Sequence, residues 1–250
     1  MDWNKLKDLP TPCYVIDEAK LIANGEILKS VQERTGAKIL LAQKAFSCYD
    51  LYPTLKPYLA GTEASGLYEA MLGAEYLGDK EVHVFSAAYK SSDLEEILKY
   101  ADHIVFNSPG QLARHGAWAK AYGKSIGLRI NPECSTQDHA IYDPCAPGSR
   151  LGTTKEQWDK EMTPQLIELL DGLHFHTLCE QFFEPLEKTF QVVEEKWGQY
   201  LPKLKWLNMG GGHYITHKDY KVNALVQFLR DVRKKYKLDI YLEPGEAFVY

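Results

Sequence analysis

EVHVFSAAYKSSDLEEILKYADHIVFNS, residues 81–108, decides the fold. Two apolar runs, EVHVFS and HIVFNS, each end in polar residues, and DLEEILKYA between them repeats its apolar residues at helical spacing. A strand, a helix and a second strand in this order form a βαβ unit with parallel strands. The pattern extends both ways. KILLAQ and GTEAS precede the unit, while SIGLRIN, LHFHTL, KWLNMG and DIYLEPG follow it. Helical patterns such as GLYEAMLGAEYL, PGQLARHGAWAKAYG, PLEKTFQVVEEKWGQYL and ALVQFLRDVRKKY lie between them. Lys44, Ser65, Ser86 and Asn107, which end their runs, stand 21 residues apart, and Arg129 follows 22 later. Eight strands between Lys38 and Glu243 are the number that closes a (β/α)8 barrel, and 250 residues suit one.

Composition sets the outer limits. With 45% hydrophobic and 25% charged residues the chain has the make-up of a globular protein. A net charge of -5 argues against nucleic acid as a partner and favours a cationic ligand. No apolar run approaches the roughly 20 residues that span a bilayer, and the N-terminal residues lack a signal-peptide core, so no membrane role and a cytoplasmic location are expected. The five cysteines are odd in number and contain no C-x-x-C pair, which points to reduced thiols.

In a barrel of this kind chemistry gathers where strands end at the C-terminal face. The polar residues there are Lys44, Glu63, Ser65, Ser86, Asn107, Arg129, Asn131, His174, His176, Gly210, Gly211, Gly212, Glu243 and Glu246. Lys44, in LLAQKAFS (residues 40–47), follows an apolar strand. Its ammonium either meets water or, costly to bury, serves a reaction. MGGGH (residues 209–213) offers bare backbone N–H groups after the seventh strand, where barrels of this kind bind phosphate; a flexible turn is the plain alternative. Glu243 in the mouth needs a cation, either a protonated pyridine nitrogen or Arg129. His174 and His176, two apart, point the same way, as metal ligands or as a flat ring stacked on a planar ligand.

A lysine for an imine, glycines for phosphate, a carboxylate for a ring nitrogen and an imidazole for stacking form the parts of a pyridoxal phosphate site. The chain resembles the pyridoxal-phosphate decarboxylases built on an alanine-racemase-type barrel, which include the ornithine and diaminopimelate decarboxylases. Within that group the resemblance is greatest to the carboxynorspermidine (carboxyspermidine) decarboxylases. It runs along the whole chain through TPCYVID, LAQKAFS, EASGLYEA, IVFNS, LRINPE, GLHFHTLCE, NMGGGH and EPGEA. The resemblance implies pyridoxal 5'-phosphate as cofactor and no metal. It assigns Lys44 to the cofactor imine, Arg129 beside the cofactor, His176 to ring stacking, Gly210, Gly211 and Gly212 to the phosphate, and Glu243 to the ring nitrogen. The implied reaction is loss of the α-carboxylate of carboxynorspermidine or carboxyspermidine as carbon dioxide, giving norspermidine or spermidine.

Departures from the wider group narrow the expectation. Cys179 replaces a serine that would donate to phosphate, and Glu246 replaces an arginine after E-P-G. An acid there would repel phosphate, so Glu246 is expected to turn away from it and bind an amine of a small cationic carboxy-polyamine substrate. The insert DHAIYDPCAPGSRLG (residues 138–152) is long for a βα turn and is expected to lid the mouth, with Asp143 facing the cationic tail and Arg150 at a subunit contact. Residues 1–24 are expected to form a segment that pairs with the family's C-terminal β-domain, and residues 25–250 the barrel; the last barrel helix and the β-domain are expected to be missing from this chain. The resemblance also implies a homodimer with shared active sites. Rival readings are another amino-acid decarboxylase of the group, a non-catalytic pyridoxal-phosphate-binding regulator, and a metal-dependent hydrolase using His174 and His176 with Glu180 or Cys179.

Overall fold

A computed structural model describes residues 3–250. Eight parallel strands close into one barrel: β1 (Lys38–Ala42), β2 (Gly61–Ala64), β3 (Glu81–Phe85), β4 (His103–Phe106), β5 (Ser125–Arg129), β6 (Gly172–His174), β7 (Trp206–Asn208) and β8 (Asp239–Leu242). Closure is made by β8 against β1, where Lys38 pairs with Tyr241 and Ile39 with Leu242. The eight strands lie where the apolar runs place them.

The helices are α1 (Glu18–Thr35), α2 (Tyr52–Leu55), α3 (Leu67–Leu77), α4 (Ser91–Tyr100), α5 (Pro109–Ala121), α6 (Lys155–Glu161), α7 (Pro164–Leu169), α8 (Phe183–Trp197) and α9 (Val222–Tyr236). Their ends follow the usual chemistry. Asp17 accepts from the Lys20 N–H to start α1, and Gly36, at φ 70°, ends it by donating to Gln32. Ser108 and Thr163 cap α5 and α7, each followed by a proline that suits the first helical position. The sequence reading has no counterpart to α1, α6 or α7. The division between residues 24 and 25 falls inside α1, which is unbroken there. Between β1 and β2 the chain forms only α2 and two 3-10 turns: Pro53 suits the first turn of α2, whereas Pro57 lacks the N–H that would continue it.

Alternation along the strands divides the apolar residues into two cores. Ile39, Val84, Ile104, Leu173 and Leu207 face outward and pack under the helices, with Leu28 and Val31 of α1 and Leu229 of α9 among their neighbours. Inward-facing Leu40, Val105, Trp206 and Tyr241 fill the barrel. Gly127 and Gly172 make room for the Trp206 indole: a Cβ on either would lie 2.4 or 2.0 Å from it. Below this plug, toward the N-terminal ends of the strands, the His83 and His103 rings stack at 3.8 Å between centroids, and Lys38 pairs with Glu81 at 2.6 Å. Above it, Phe85 apart, the inward side chains Glu63, Arg129, His174, Asn208 and Glu243 are polar and floor the mouth.

Residues 13–17 form no regular element, Tyr14 is fully exposed, and they join no strand ladder among the described residues. No helix among the described residues is long and apolar enough to cross a membrane. All five cysteines are free.

Candidate active site at the barrel mouth

Strand β1 stops at Ala42, and the chain turns sharply there, with the Ala45 N–H donating to the Ala42 carbonyl at 3.1 Å. Gln43 is buried and locks the turn, since its amide donates to the Glu69 carbonyl and accepts from the Tyr52 hydroxyl. Lys44 comes next and is exposed, on the wall of a cavity of about 340 Å³. The burial that the apolar strand suggests for Lys44 is therefore absent: the strand ends first, and the ammonium reaches the mouth from its rim.

Glu243 is the centre of the floor. It is 3% exposed, and three neighbouring strands converge on it. His174 at the end of β6 places Nε2 at 3.2 Å from Oε2, and Asn208 at the end of β7 donates to Oε1 at 2.6 Å. Burial alone would raise this carboxyl, but His174, close enough to donate its Nε2–H, outweighs burial and holds it well below the usual carboxylate range. Burial keeps the His174 and His176 imidazoles neutral, pushing His176 down to about 3. Among the described residues no lysine or arginine lies in ion-pair range of Glu243. Arg129, offered by the sequence as its partner, instead donates to the His176 carbonyl at 3.0 Å and lies over the Phe85 ring at 4.5 Å.

His176 lies two residues beyond His174, and both side chains turn toward Glu243. Its Nδ1 accepts from the Gly211 N–H at 3.2 Å, which leaves the proton on Nε2. That Nδ1 is 3.9 Å from Glu243, too far for a hydrogen bond. The glycine run is set by crowding as well as by φ. Gly212 has φ 80°, and a Cβ on Gly211 would lie 2.1 Å from the Glu243 carbonyl oxygen. Gly210 donates to Asn208 and Gly211 to His176, whereas the half-buried Gly212 N–H has no acceptor among the described residues.

The rim departs from expectation at Asp143. Glu246 lines the cavity with Glu180, and its carboxyl is raised by burial and then by Glu180. Asp143 accepts from the Cys145 N–H at 2.8 Å within its own loop, and the cavity wall is formed by Tyr142, Pro144 and Leu151 instead. That loop is pinned. Asn107 accepts from the Gly152 N–H and donates to the Arg150 carbonyl, while Asn131 donates to the Leu151 and Pro144 carbonyls. Arg150 itself is exposed outside the cavity.

Two clusters among the described residues, one at each end of the barrel, bring donor atoms within 4.8 Å of one another. His174 and His176 group with Glu243, while Glu180 and Cys179 are exposed on the rim. At the lower end Glu81 groups with the stacked His83 and His103 rings, and it already accepts from Lys38.

Sequence reasoning gave no role to Asn208 or to Glu63, which is 2% exposed with Oε2 unpartnered. Both sit at inward strand positions, two residues on from Trp206 and Gly61, and that alternation is the signal that would have found them.

An ionised carboxylate with only neutral protein partners fits a cationic ring nitrogen, and an unclaimed glycine N–H at the same mouth fits a phosphate oxygen. Fold and site together define a barrel domain whose mouth, with Lys44 on its wall, fits a phosphorylated, nitrogen-containing ring. Residues 26–250 match the family described as pyridoxal-dependent decarboxylase, pyridoxal binding domain. The chain belongs to this family, and its cofactor is pyridoxal phosphate.

Among curated relatives, the carboxynorspermidine/carboxyspermidine decarboxylase of Campylobacter jejuni is 41% identical over 239 residues, covering 96% of this chain and 61% of the relative. The carboxyaminopropylagmatine decarboxylase of Synechocystis is 38% identical over 247 residues, 98% of this chain and 62% of the relative. The crystal structure of C. jejuni carboxynorspermidine decarboxylase complexed with norspermidine superposes with a TM-score of 0.87 at 40% identity, over 96% of this chain and 61% of that one. Diaminopimelate decarboxylase from Helicobacter pylori, with a TM-score of 0.81 at 19% identity over 99% of this chain and 66% of that one, shares the fold. The chain thus spans about three-fifths of the length of its first relatives.

Proposed function

We propose that this chain is the cofactor-binding barrel of a decarboxylase acting on carboxynorspermidine or carboxyspermidine in polyamine biosynthesis. The observation that carries the substrate class is the pair Glu180 and Glu246 on the wall of the cavity that Lys44 enters. Two carboxylates facing one mouth favour a ligand with several ammonium groups. The relatives named for such substrates support the same reading.

When bound, pyridoxal phosphate supplies an electron sink for the pair left as the α-carboxyl group departs. The protein's own groups do the rest. Lys44 holds the cofactor covalently from the rim. Glu243, kept ionised, holds a proton on the ring nitrogen. His176, neutral and fixed by Gly211 and Arg129, presents a flat ring for stacking. Gly212 gives its N–H to phosphate, beside Gly210 and Gly211, which shape the loop. Glu246 and Glu180 orient the cationic tail; Asp143 acts only through the loop it caps. Reduced cysteines favour the cytoplasm, and the family resemblance carries a homodimer with shared sites.

A second substrate is favoured by the Synechocystis relative, whose named substrate ends in a guanidinium group. Carbon dioxide release by the full-length protein from carboxynorspermidine, carboxyspermidine and carboxyaminopropylagmatine tests both. Release from either of the first two supports the proposal. Release from the third alone transfers the function to it, and release from none contradicts it.

A further inference from the structure

Glu63 stands at the upper end of β2, with its Cα in register with Ala42, two residues before Lys44. It is 2% exposed, and Oε2 has no hydrogen-bond partner among the described residues. A buried, ionised carboxylate without a partner is too costly to persist; a protonated one costs far less. The charged groups facing it come from every side: Glu243 from β8, Lys44 from the turn after β1, Glu69 from α3 and Arg129 from β5. The Tyr89 hydroxyl, after β3, is committed elsewhere, lying between the Val84 and Val105 carbonyls at 3.1 and 3.0 Å. Glu243 already has donors from His174 and Asn208, so the proton of this carboxyl pair belongs on Glu63.

We propose that Glu63 is a positioning residue that carries a proton beside Lys44, leaving Glu243 the one ionised carboxylate of the barrel floor. The role needs both features of the site. Oε2 is buried and meets no protein donor or acceptor, so a proton on it costs no existing hydrogen bond, and the carboxyl lies beneath the turn that carries Lys44. The neutral form also spares Glu243 a like charge that would weaken its hold on a ring proton. Burial first, and Glu243 second, push the Glu63 carboxyl up to about 8, which agrees with this placement.

The inference rests on reading Lys44 as the cofactor lysine, and its tests are separable from that reading. Near neutral pH, the infrared spectrum of wild-type full-length protein minus that of Glu63→Gln is expected to show the carbonyl band of a protonated carboxyl. Raising the pH through about 8 should replace that band with carboxylate bands. Carboxylate bands already present at neutral pH overturn the proposal. Should the variant not fold, wild-type protein labelled with carbon-13 at its glutamate carboxyls serves instead. One resonance is then expected to titrate near 8, and its absence overturns the proposal equally.

In cofactor-loaded protein, Glu63→Gln should keep the visible absorbance of the bound cofactor but lose the change that wild type shows as Glu63 ionises. Identical pH profiles count against Glu63. No visible band in wild type at any pH counts against Lys44 as the cofactor lysine.

Discussion

His174 Nε2 lies 3.2 Å from Glu243 Oε2, joining strands that are separated in the barrel by β7. Glu243 thereby keeps its charge in a place where charge is expensive. His174→Ala removes one donor and leaves Asn208 alone on the carboxylate. Loss of a hydrogen bond to a charged group costs about 1.5–3 kcal/mol, and each kcal/mol lowers the melting temperature of a chain this long by about 2–4 °C. A thermal scan should show that drop together with weaker retention of pyridoxal phosphate. An unchanged melting temperature would mean that the contact carries no energy.

Much of the barrel could be read from the sequence because each strand is an apolar run stopped by a polar residue, as EVHVFS and HIVFNS are. Helix α1 escapes because its buried stripe includes Gly25 and Thr35 beside Leu21, Leu28 and Val31, which dilutes the apolar signal. At the site, Lys44, His176, the glycines and Glu243 stand out by residue type. The clamp of His174 and Asn208 does not, since it depends on which strands become neighbours. Glu63 is a strand-end acid like any other until its surroundings are known, and Asp143 looks available until its loop claims it.

Titration gives opposite slopes on either side of neutrality. His174, His176 and His213 are buried neutral, with His176 pushed down to about 3 and His213 to about 4, each by burial. Unfolded histidines take up protons below about 6.5, so the stability these residues give is present above that pH and lost as pH falls. Glu63 works the other way: unfolded it is ionised above about 4.5, folded it keeps its proton to about 8, so stability declines as pH rises between them. With His103, pushed down to about 2, and His115, lowered as well, both by burial, five histidines outweigh one glutamate below their crossover. Urea denaturation across pH should therefore give a maximum at about 7. A maximum displaced to acid pH would show that the histidines are charged in the fold.

Gly211→Ala would place a methyl group 2.1 Å from the Glu243 carbonyl oxygen, which is backbone and cannot swing aside. Overpacking of this kind costs about 1–3 kcal/mol. The same shift would disturb the Gly211 contact with His176, so cofactor affinity should fall along with stability. Gly66→Ala is the matched control, since a Cβ there meets nothing within 4 Å. Equal behaviour of the two variants would show that the glycine loop is not tightly fitted.

Glu246→Gln removes one of two carboxylates from an exposed rim. Partly screened ion pairs are worth about 0.2–1 kcal/mol, so KM for a carboxy-polyamine should rise by up to about fivefold with kcat little changed. Adding Glu180→Gln should raise it further, and salt should weaken binding to wild type more than to the double variant. A KM unaffected by either change would separate these residues from the substrate.

The most direct measurement is chemical. Full-length protein loaded with pyridoxal phosphate is reduced with borohydride, digested, and its peptides are weighed and sequenced by mass spectrometry. The pyridoxyl mass is expected on Lys44, in the peptide containing LLAQKAFS, and the visible band should be missing from Lys44→Ala before reduction. Label on another lysine, or a visible band that survives in Lys44→Ala, would contradict the placement of the cofactor and the site built around it.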